Sequence, residues 1–473
     1  LDVDENGFKA AMENHRIQSG AGKVFGTMGG EMVEVYRKAF EDLVRENQLP
    51  ATGVAYNPYE WLEVDTKIVG LFSEGELIEE AEAGTTVEVI VPRTGFYIES
   101  GGQVSDTGWI ETADGSWEIE VEDVRRPASG VIIHIGTVTR GVVRNGSQAK
   151  LKVDRERRMD IMRNHTATHL LHAQLHKVLG DHARQSGSLV APDRLRFDFT
   201  HPEAVTPEQL ELIESGVNQE ILSAHQLSIK EKSLQTAMAE GAMALFGEKY
   251  GEKVRTVTID EDHPVSYELC GGTHVENTAE IGSFIILSEG SAAAGIRRIE
   301  AVTGHAAYEV IRSRNKTLQR IARMTNASIN EIIPKINGIL DEISDLRAEL
   351  SRTRQELVQQ EFDASMGQAI NVKDVSILSV PLEGADAESL RQMTDRFRQK
   401  FTSGVVAVGS IVNEKPMIVC AVTEDVVKKG IHAGELVRQA AALLGGSGGG
   451  RPVLGQAGGK DPEKLSEALD LIA

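Results

Sequence analysis

The chain has 473 residues, too many for a single hydrophobic core and enough for two to four domains. Apolar residues make up 41% and charged residues 26%, the balance of a soluble globular protein. Two cysteines exclude a disulfide framework, no apolar run is long enough for a membrane span, and no signal peptide is visible, so a cytoplasmic, reducing setting is expected. The formal net charge of −21 argues against indiscriminate nucleic-acid binding, which needs positive charge at phosphates, but leaves room for a local basic patch. The chain begins on Leu1, directly in helical-looking sequence, and reads as a piece of a longer protein.

Residues 1–50 read as helices, with apolar positions at helical spacing in GFKAAMENHRIQSG and GGEMVEVYRKAFEDLVRENQLP. From about Tyr59 the pattern becomes short, β-branched and alternating. TKIVGLF, TTVEVIVP, GGQVSDTGWI, WEIEVEDV, GVIIHIGTV and AKLKVD, separated by turn signals such as ADG and RNG, predict an all-β sandwich or barrel ending near Asp154. A helix follows over 155–180, stopped at Gly180, then mixed α/β sequence to about Thr303, with helices at 207–225 and 233–244 and strands at 254–260 and 283–288. From Ala306 to about Gln368 the chain is almost wholly helical, with a capping box at Ser328 and Glu331. Its apolar positions Ile332, Ile336, Ile339, Ile343, Leu346, Leu350 and Leu357 step by threes and fours, which suits a helical hairpin or a short coiled coil. The last hundred residues form another α/β unit. DVSILSVPL, GVVAVGSIV and MIVCAV read as buried strands, AESLRQMTDRFRQKF and AGELVRQAAALL as helices, and a final helix is capped by Asp461 with Pro462 in its first turn.

Two stretches carry the chemistry. In HTATHLLHAQLH, His165, His169, His172 and His176 step by four, three and four and share one helix face. Two imidazoles four apart can hold one metal, as in HExxH, but Ala167 and Thr168 stand where that motif has its general base. In YELCGGTHVEN, Cys270 and His274 bracket two glycines and a threonine, which alone is either a glycine turn with a buried cysteine or half a zinc site. Together the two supply His165, His169, Cys270 and His274 as a Cys/His ligand set for one Zn2+ per chain, with His172 and His176 either supporting it from behind or purely structural. Four donors leave open whether such a metal is catalytic, orienting or structural. ESGGQVSDTG reads as a glycine turn with a pocket-lining alternative. GGSGGGRPVLGQAGGKDP lacks the Walker spacing and reads either as a flexible linker or as a turn whose amides approach phosphate, with Arg451 and Lys460 beside it. KVDRERRMDIMR, with one Lys and four Arg, is either a solvated helix face or a basic patch.

HTATHLL, CGGTH, ESGGQ and GGRPVLGQAGGKDP, in this order along the whole chain, resemble the C-terminal portion of the alanyl-tRNA synthetase family. The resemblance implies an α+β multidomain chain. Its parts would be residues 1–57 as the end of a helical tRNA-recognition region, 58–155 as a β-barrel, 156–304 as an α/β zinc-containing editing core, 305–368 as a helical arm or coiled coil, and 369–473 as a C-terminal α/β domain for tRNA binding and dimerisation. It implies hydrolysis of mischarged Ser-tRNA(Ala) and Gly-tRNA(Ala), with the family's zinc ligands falling on His165, His169, Cys270 and His274 and its editing-site glutamine on Gln185. Ser100, Gly101, Gly102 and Thr166 would shape the pocket, and Arg155, Arg157, Arg158, Arg451 and Lys460 would contact tRNA(Ala). A homodimer through the arm and C-terminal domain is the other implied partner. ATP and Mg2+ would serve only an aminoacylation domain outside this sequence. A tRNA-binding and dimerisation module with structural zinc, and a freestanding trans-editing deacylase, are the alternative readings.

Overall fold

The computed structural model describes residues 30–244 and 250–473, so the helix expected in GFKAAMENHRIQSG lies outside the described residues. The chain divides between Lys316 and Thr317 into two compact units.

In the first unit, the helix Gly30–Arg45 lays Tyr36 and Leu43 against an antiparallel sheet, whose core includes Leu71, Val89, Ile119 and Ile133. The sheet has eight strands in the order Glu63–Lys67, Gln148–Val153, Gly108–Glu111, Glu118–Arg125, Ile133–Arg140, Thr86–Ile90, Gly70–Ser73 and Glu76–Leu77. The two outer strands do not pair with each other, so the expected barrel is an open half-barrel. Hydrophobic alternation builds it, with one interruption. Glu122 has no partner opposite the Ile135–Gly136 step, and this bulge moves the buried positions from Ile119 and Val121 to Val124. The run TKIVGLF is two strands rather than one, broken at Ile68–Val69.

His134 is wholly buried in this sheet. Its Nδ1 lies 3.2 Å from the Val89 carbonyl, to which it must donate, and its Nε2 accepts from Thr94 Oγ1 at 2.8 Å. Burial pushes its pKa down to about 4, and the bond to the Val89 carbonyl only partly opposes this. The folded chain therefore holds the neutral ring. The corresponding stability is fully present above the unfolded value near 6.5 and is lost as pH falls from there toward 4. The loss should amount to about 3 kcal/mol. Denaturant unfolding between pH 7 and pH 4.5 should show this slope in the native chain and a shallower one in His134→Gln. Parallel slopes would refute it.

The same unit continues with the long helix Arg155–Leu179, capped by Asp154, whose Oδ1 accepts from the Arg157 amide. It is buried on most of its surface. Leu170, Leu171 and Leu175 meet Phe197 and Phe199 of a four-stranded sheet and Ile213 and Val217 of the helix Pro207–Leu222. A three-stranded sheet, Leu227–Ser233, Lys253–Ile259 and Ser266–Leu269, ends at the CGGTH loop. The helix expected over 233–244 is only Leu234–Ala239, because the chain then turns and Met243 bridges to Glu268.

The second unit contains the helix Ile332–Ser365, which leaves Ile343, Leu346, Leu350 and Leu357 exposed. A six-stranded sheet follows, ordered Ile370–Val372, Val375–Pro381, Gly404–Val412, Lys415–Val422, Leu454–Gly458 and Ser447–Arg451. Alternate residues of its central strands face opposite cores. Val405, Ala407, Ile418 and Cys420 meet Val437 and Leu465, while Val406, Val408, Val419 and Ala421 meet Leu390, Phe397 and Phe362. Cys420 is thus a core residue, its thiol pushed up to about 12 by burial. The glycine-rich stretch is not a linker. It forms the hairpin Ser447–Arg451 with Leu454–Gly458, and a Cβ on Gly448 would come 2.7 Å from the Val437 carbonyl, so the glycines let the hairpin lie directly on the helix Ala433–Leu443. Asp461 precedes a short 3-10 turn, Pro462–Lys464, and makes no side-chain capping bond, contrary to the expected cap.

Candidate metal centre

Two elements bring four ligand residues together. The helix Arg155–Leu179 presents His165 and His169, and the loop after the strand Ser266–Leu269 presents Cys270 and His274. Their donor atoms all lie within 4.8 Å of one another. Cys270 Sγ is 3.3 Å from Nε2 of both His165 and His274. All three imidazoles are buried.

The other ring nitrogens are held from behind. His165 Nδ1 is 2.7 Å from Gln103 Oε1, and His274 Nδ1 is 3.2 Å from Thr166 Oγ1. Glu268 serves His169 and, behind it, His172. Its Oε2 lies 3.0 Å from His169 Nδ1, at ion-pair distance but off hydrogen-bond geometry, and its Oε1 lies 3.2 Å from His172 Nδ1. His169 Nε2 is buried without a hydrogen-bond partner. The loop itself is pinned through three successive carbonyls. Arg255 donates to those of Cys270 at 2.9 Å and Gly272 at 2.7 Å, and Tyr59 Oη donates to that of Gly271 at 2.8 Å, with the Arg255 guanidinium over the Tyr59 ring. A Cβ on Gly272 would fall 1.9 Å from His165 Cε1, so only glycine fits where the loop meets the helix.

The electrostatics favour a cation. Burial alone would raise Cys270 and Glu268, yet the neighbouring imidazoles outweigh it and hold both well below their ordinary ranges. Burial also opposes protonation of His169, but Glu268 and Cys270 overcome it and lift that ring to about 10. His274 is pushed down to about 3 by burial and by the nearby His165. Glu268 is buried and Cys270 half-buried, and both favour their anionic forms beside the imidazoles, which suits positive charge at the centre. A proton on His169 answers that demand, and so would a divalent ion.

A pocket opens beside the cluster, lined among others by Ser100, Gly101, Thr168, Gln185, Ser188, Lys253 and Arg255. A bulge at Ser186 interrupts the pairing of Gln185–Val190 with Leu195–Thr200, and Gln185 Nε2 donates to Ser188 Oγ at 3.1 Å. Ser100 and Gly101 line the pocket wall. Thr166 does not: it is fully buried and bonds Met162, His274 and the Val275 amide, while Thr168, half a turn on, lines the pocket. Gly102 packs on Ser188 rather than lining the pocket.

The basic candidates separate. Arg155 is exposed and pairs with Glu63, and Arg157 donates to the Ser105 carbonyl. Arg158 is 3% exposed and locked on Asp106 and the carbonyls of Pro58 and Gly95, which removes it as a surface contact for any nucleic acid. Arg451 and Lys460 are exposed in the second unit.

Sequence reasoning missed Gln103, Glu268 and Arg255. Glu268 carried a signal, a carboxylate two residues before Cys270 on the strand that leads into the CGGTH loop. Gln103 lies inside ESGGQ, next to two glycines that by themselves signal only a turn.

Three family models match the chain. They are "tRNA synthetases class II (A)" over residues 1–157, "Threonyl and Alanyl tRNA synthetase second additional domain" over 254–300, and "DHHA1 domain" over 374–473. The alanine–tRNA ligase of Chloroflexus aurantiacus is 41% identical over 99% of this chain and 52% of its own length. That of Pelotomaculum thermopropionicum is 42% identical over 99% of this chain and 52% of its own length. Among solved structures, the C-Ala domain from Aquifex aeolicus alanyl-tRNA synthetase is 35% identical, covers 22% of this chain and 93% of its own, and has a TM-score of 0.21. The chain spans about half the length of the curated relatives it matches. Matched end to end by these ligases and carrying three of the domain signatures in order, the chain belongs to the alanine–tRNA ligase family.

Proposed function

We propose that this chain is the editing part of an alanine–tRNA ligase, and that its pocket hydrolyses the ester of Ser-tRNA(Ala) and Gly-tRNA(Ala). The observation that carries the reading is the convergence of His165, His169, Cys270 and His274 at the edge of an open pocket. The chemical need is general. A site built for alanine cannot exclude the smaller glycine and rejects the added hydroxyl of serine only weakly, so a second, hydrolytic site must remove the errors.

The four residues suit one Zn2+. A thiolate and three imidazoles are zinc's preferred donors, His169 Nε2 is an orphan that a metal would satisfy, and the 3.3 Å sulfur–nitrogen separations approach the roughly 3.6 Å expected between neighbouring ligands of tetrahedral zinc. Zinc bound there would supply Lewis-acid polarisation beside the pocket. The chain's own groups do the rest. Gln185 and Ser188 offer an amide and a hydroxyl to orient the aminoacyl group, Thr168 adds a wall near the cluster, and Lys253 and Arg255 place positive charge on the pocket lining where a phosphodiester can approach. Arg155, Arg157, Arg451 and Lys460 remain tRNA candidates in this reading. The domain limits at 57/58, 155/156, 304/305 and 368/369, a homodimer through arm and C-terminal domain, and a cytoplasmic location belong to the same reading. No described helix is long and apolar enough to cross a membrane.

One observation favours a second reading. Four protein donors complete a tetrahedral shell, as in structural zinc sites, so the metal could serve only to hold the pocket while the chain binds tRNA. The first test is deacylation by the purified, zinc-loaded chain. Serine and glycine should be released from tRNA(Ala) well above the uncatalysed rate, alanine should be spared, and a chelator should slow release. Absence of release from intact Ser-tRNA(Ala) would overturn the hydrolase reading.

A further inference from the structure

The stretch ESGGQVSD belongs to the half-barrel, yet one of its side chains lies inside the metal centre. Ser100 and Gln103 exchange backbone hydrogen bonds across a two-residue turn, with Gly101 at φ 59° and Gly102 at φ 84°. Two successive positive φ angles suit a type I′ turn and glycine in both places. The turn is lashed to the core strand beside it, since the Val190 amide donates to the Gly102 carbonyl at 2.7 Å and the Val104 amide donates to that of Val190 at 3.1 Å. This fixes the side chain of Gln103, which is 0% exposed.

The amide of Gln103 touches both ligand-bearing elements at once. Its Oε1 accepts from the Thr273 amide at 2.9 Å and lies 2.7 Å from His165 Nδ1, while its Nε2 donates to Thr273 Oγ1 at 2.9 Å. Since Oε1 can only accept, His165 must carry its proton on Nδ1, which leaves the Nε2 lone pair for the centre, on the side of Cys270 Sγ.

We propose that Gln103 is a positioning residue for the zinc centre: it sets the tautomer and ring orientation of His165 and registers the CGGTH loop against the histidine helix. The inference rests on the zinc reading above. Outer partners of this kind are worth roughly 10–100-fold in metal affinity.

The test compares zinc affinity, by competition with a chromophoric chelator, in the native chain, Gln103→Met and Gln103→Glu, with thermal unfolding measured alongside. Methionine keeps the volume but cannot accept from His165. Glutamate can accept from His165 Nδ1 and the Thr273 amide, and the Thr273 hydroxyl can turn to donate. Gln103→Met should bind zinc roughly 10–100-fold more weakly at a similar melting temperature, and Gln103→Glu should recover the native affinity within a few-fold. Equal affinity in all three overturns the inference and leaves the zinc reading standing. Equal weakening in both variants with lowered melting temperatures also overturns it, since the role would then be packing. A native chain that binds no zinc fails the underlying reading, and the inference with it.

Discussion

Arg158→Met should destabilise the first unit by about 3–5 kcal/mol, the range for removing one partner of a buried ion pair. Arg158 and Asp106 have side-chain exposures of 3% and 1%, so water cannot replace a lost partner. The guanidinium does more than balance charge. Its Nε donates to Asp106 Oδ1 at 2.8 Å, one terminal nitrogen donates to the Pro58 carbonyl at 2.6 Å, and the other donates to the Gly95 carbonyl at 3.0 Å and to Asp106 Oδ2. Methionine would leave the carboxylate with the Tyr97 amide as its remaining donor and would orphan both carbonyls. Arg158→Lys should recover little, because one ammonium cannot span three separate acceptors in that planar fork. Nor should Arg158→Met/Asp106→Leu return to native stability. It removes the isolated charge but leaves the Pro58 and Gly95 carbonyls and the Tyr97 amide unpaired. Urea unfolding, read on the transition of the first unit, measures all three. A loss below about 1 kcal/mol in Arg158→Met would show that the site relaxes enough to re-solvate Asp106.

That bond also shows what the sequence could and could not reveal. KVDRERRMDIMR reads as a mixed but mainly basic stretch, and nothing in its spacing separates Arg155, which is exposed, from Arg158, which is buried. The difference lies in Asp106, some fifty residues away in chain but adjacent in space. The same holds for the centre. HTATH and CGGTH were legible because metal-ligand chemistry is local: two imidazoles four apart on a helix, a cysteine and a histidine around glycines. Gln103 and Arg255 were not, and Glu268 only in part, because each acts through contacts between segments that only the fold brings together. Thr166 and Thr168 mark the boundary of such reading. Both lie inside the motif, and helical rotation alone turns one toward His274 and the other toward the pocket. In the second unit, the apolar runs DVSILSVPL, GVVAVGSIV and MIVCAV foretold three buried strands, but the glycine-rich hairpin looked like a linker because its stability comes from the helix surface it lies on.

Cys270→Ala decides between a hydrolytic and a purely structural centre, because the two roles predict opposite effects on the fold. The substitution removes the only thiolate of the set and the negative charge shared by His165 and His274. If zinc beside the pocket stabilises the charge that develops in ester hydrolysis, losing it should lower serine release by roughly 100-fold or more, since about 2.7 kcal/mol of barrier suffices for that factor. The fold should survive. The helix Arg155–Leu179 keeps an apolar core of Leu170, Leu171, Leu175, Phe197, Phe199, Ile213 and Val217 that does not depend on the metal, unlike a small zinc module with no core of its own. The loop should also stay in place, because Arg255 and Tyr59 hold the carbonyls of residues 270–272, and an alanine side chain disturbs none of those bonds. Near-ultraviolet circular dichroism and tRNA(Ala) binding should therefore remain native while bound zinc and deacylation fall together. Cooperative loss of tertiary structure would instead assign the metal to the scaffold. Retained deacylation in a zinc-free, folded variant would take the chemistry away from this centre and leave it to the pocket's own amides and hydroxyls.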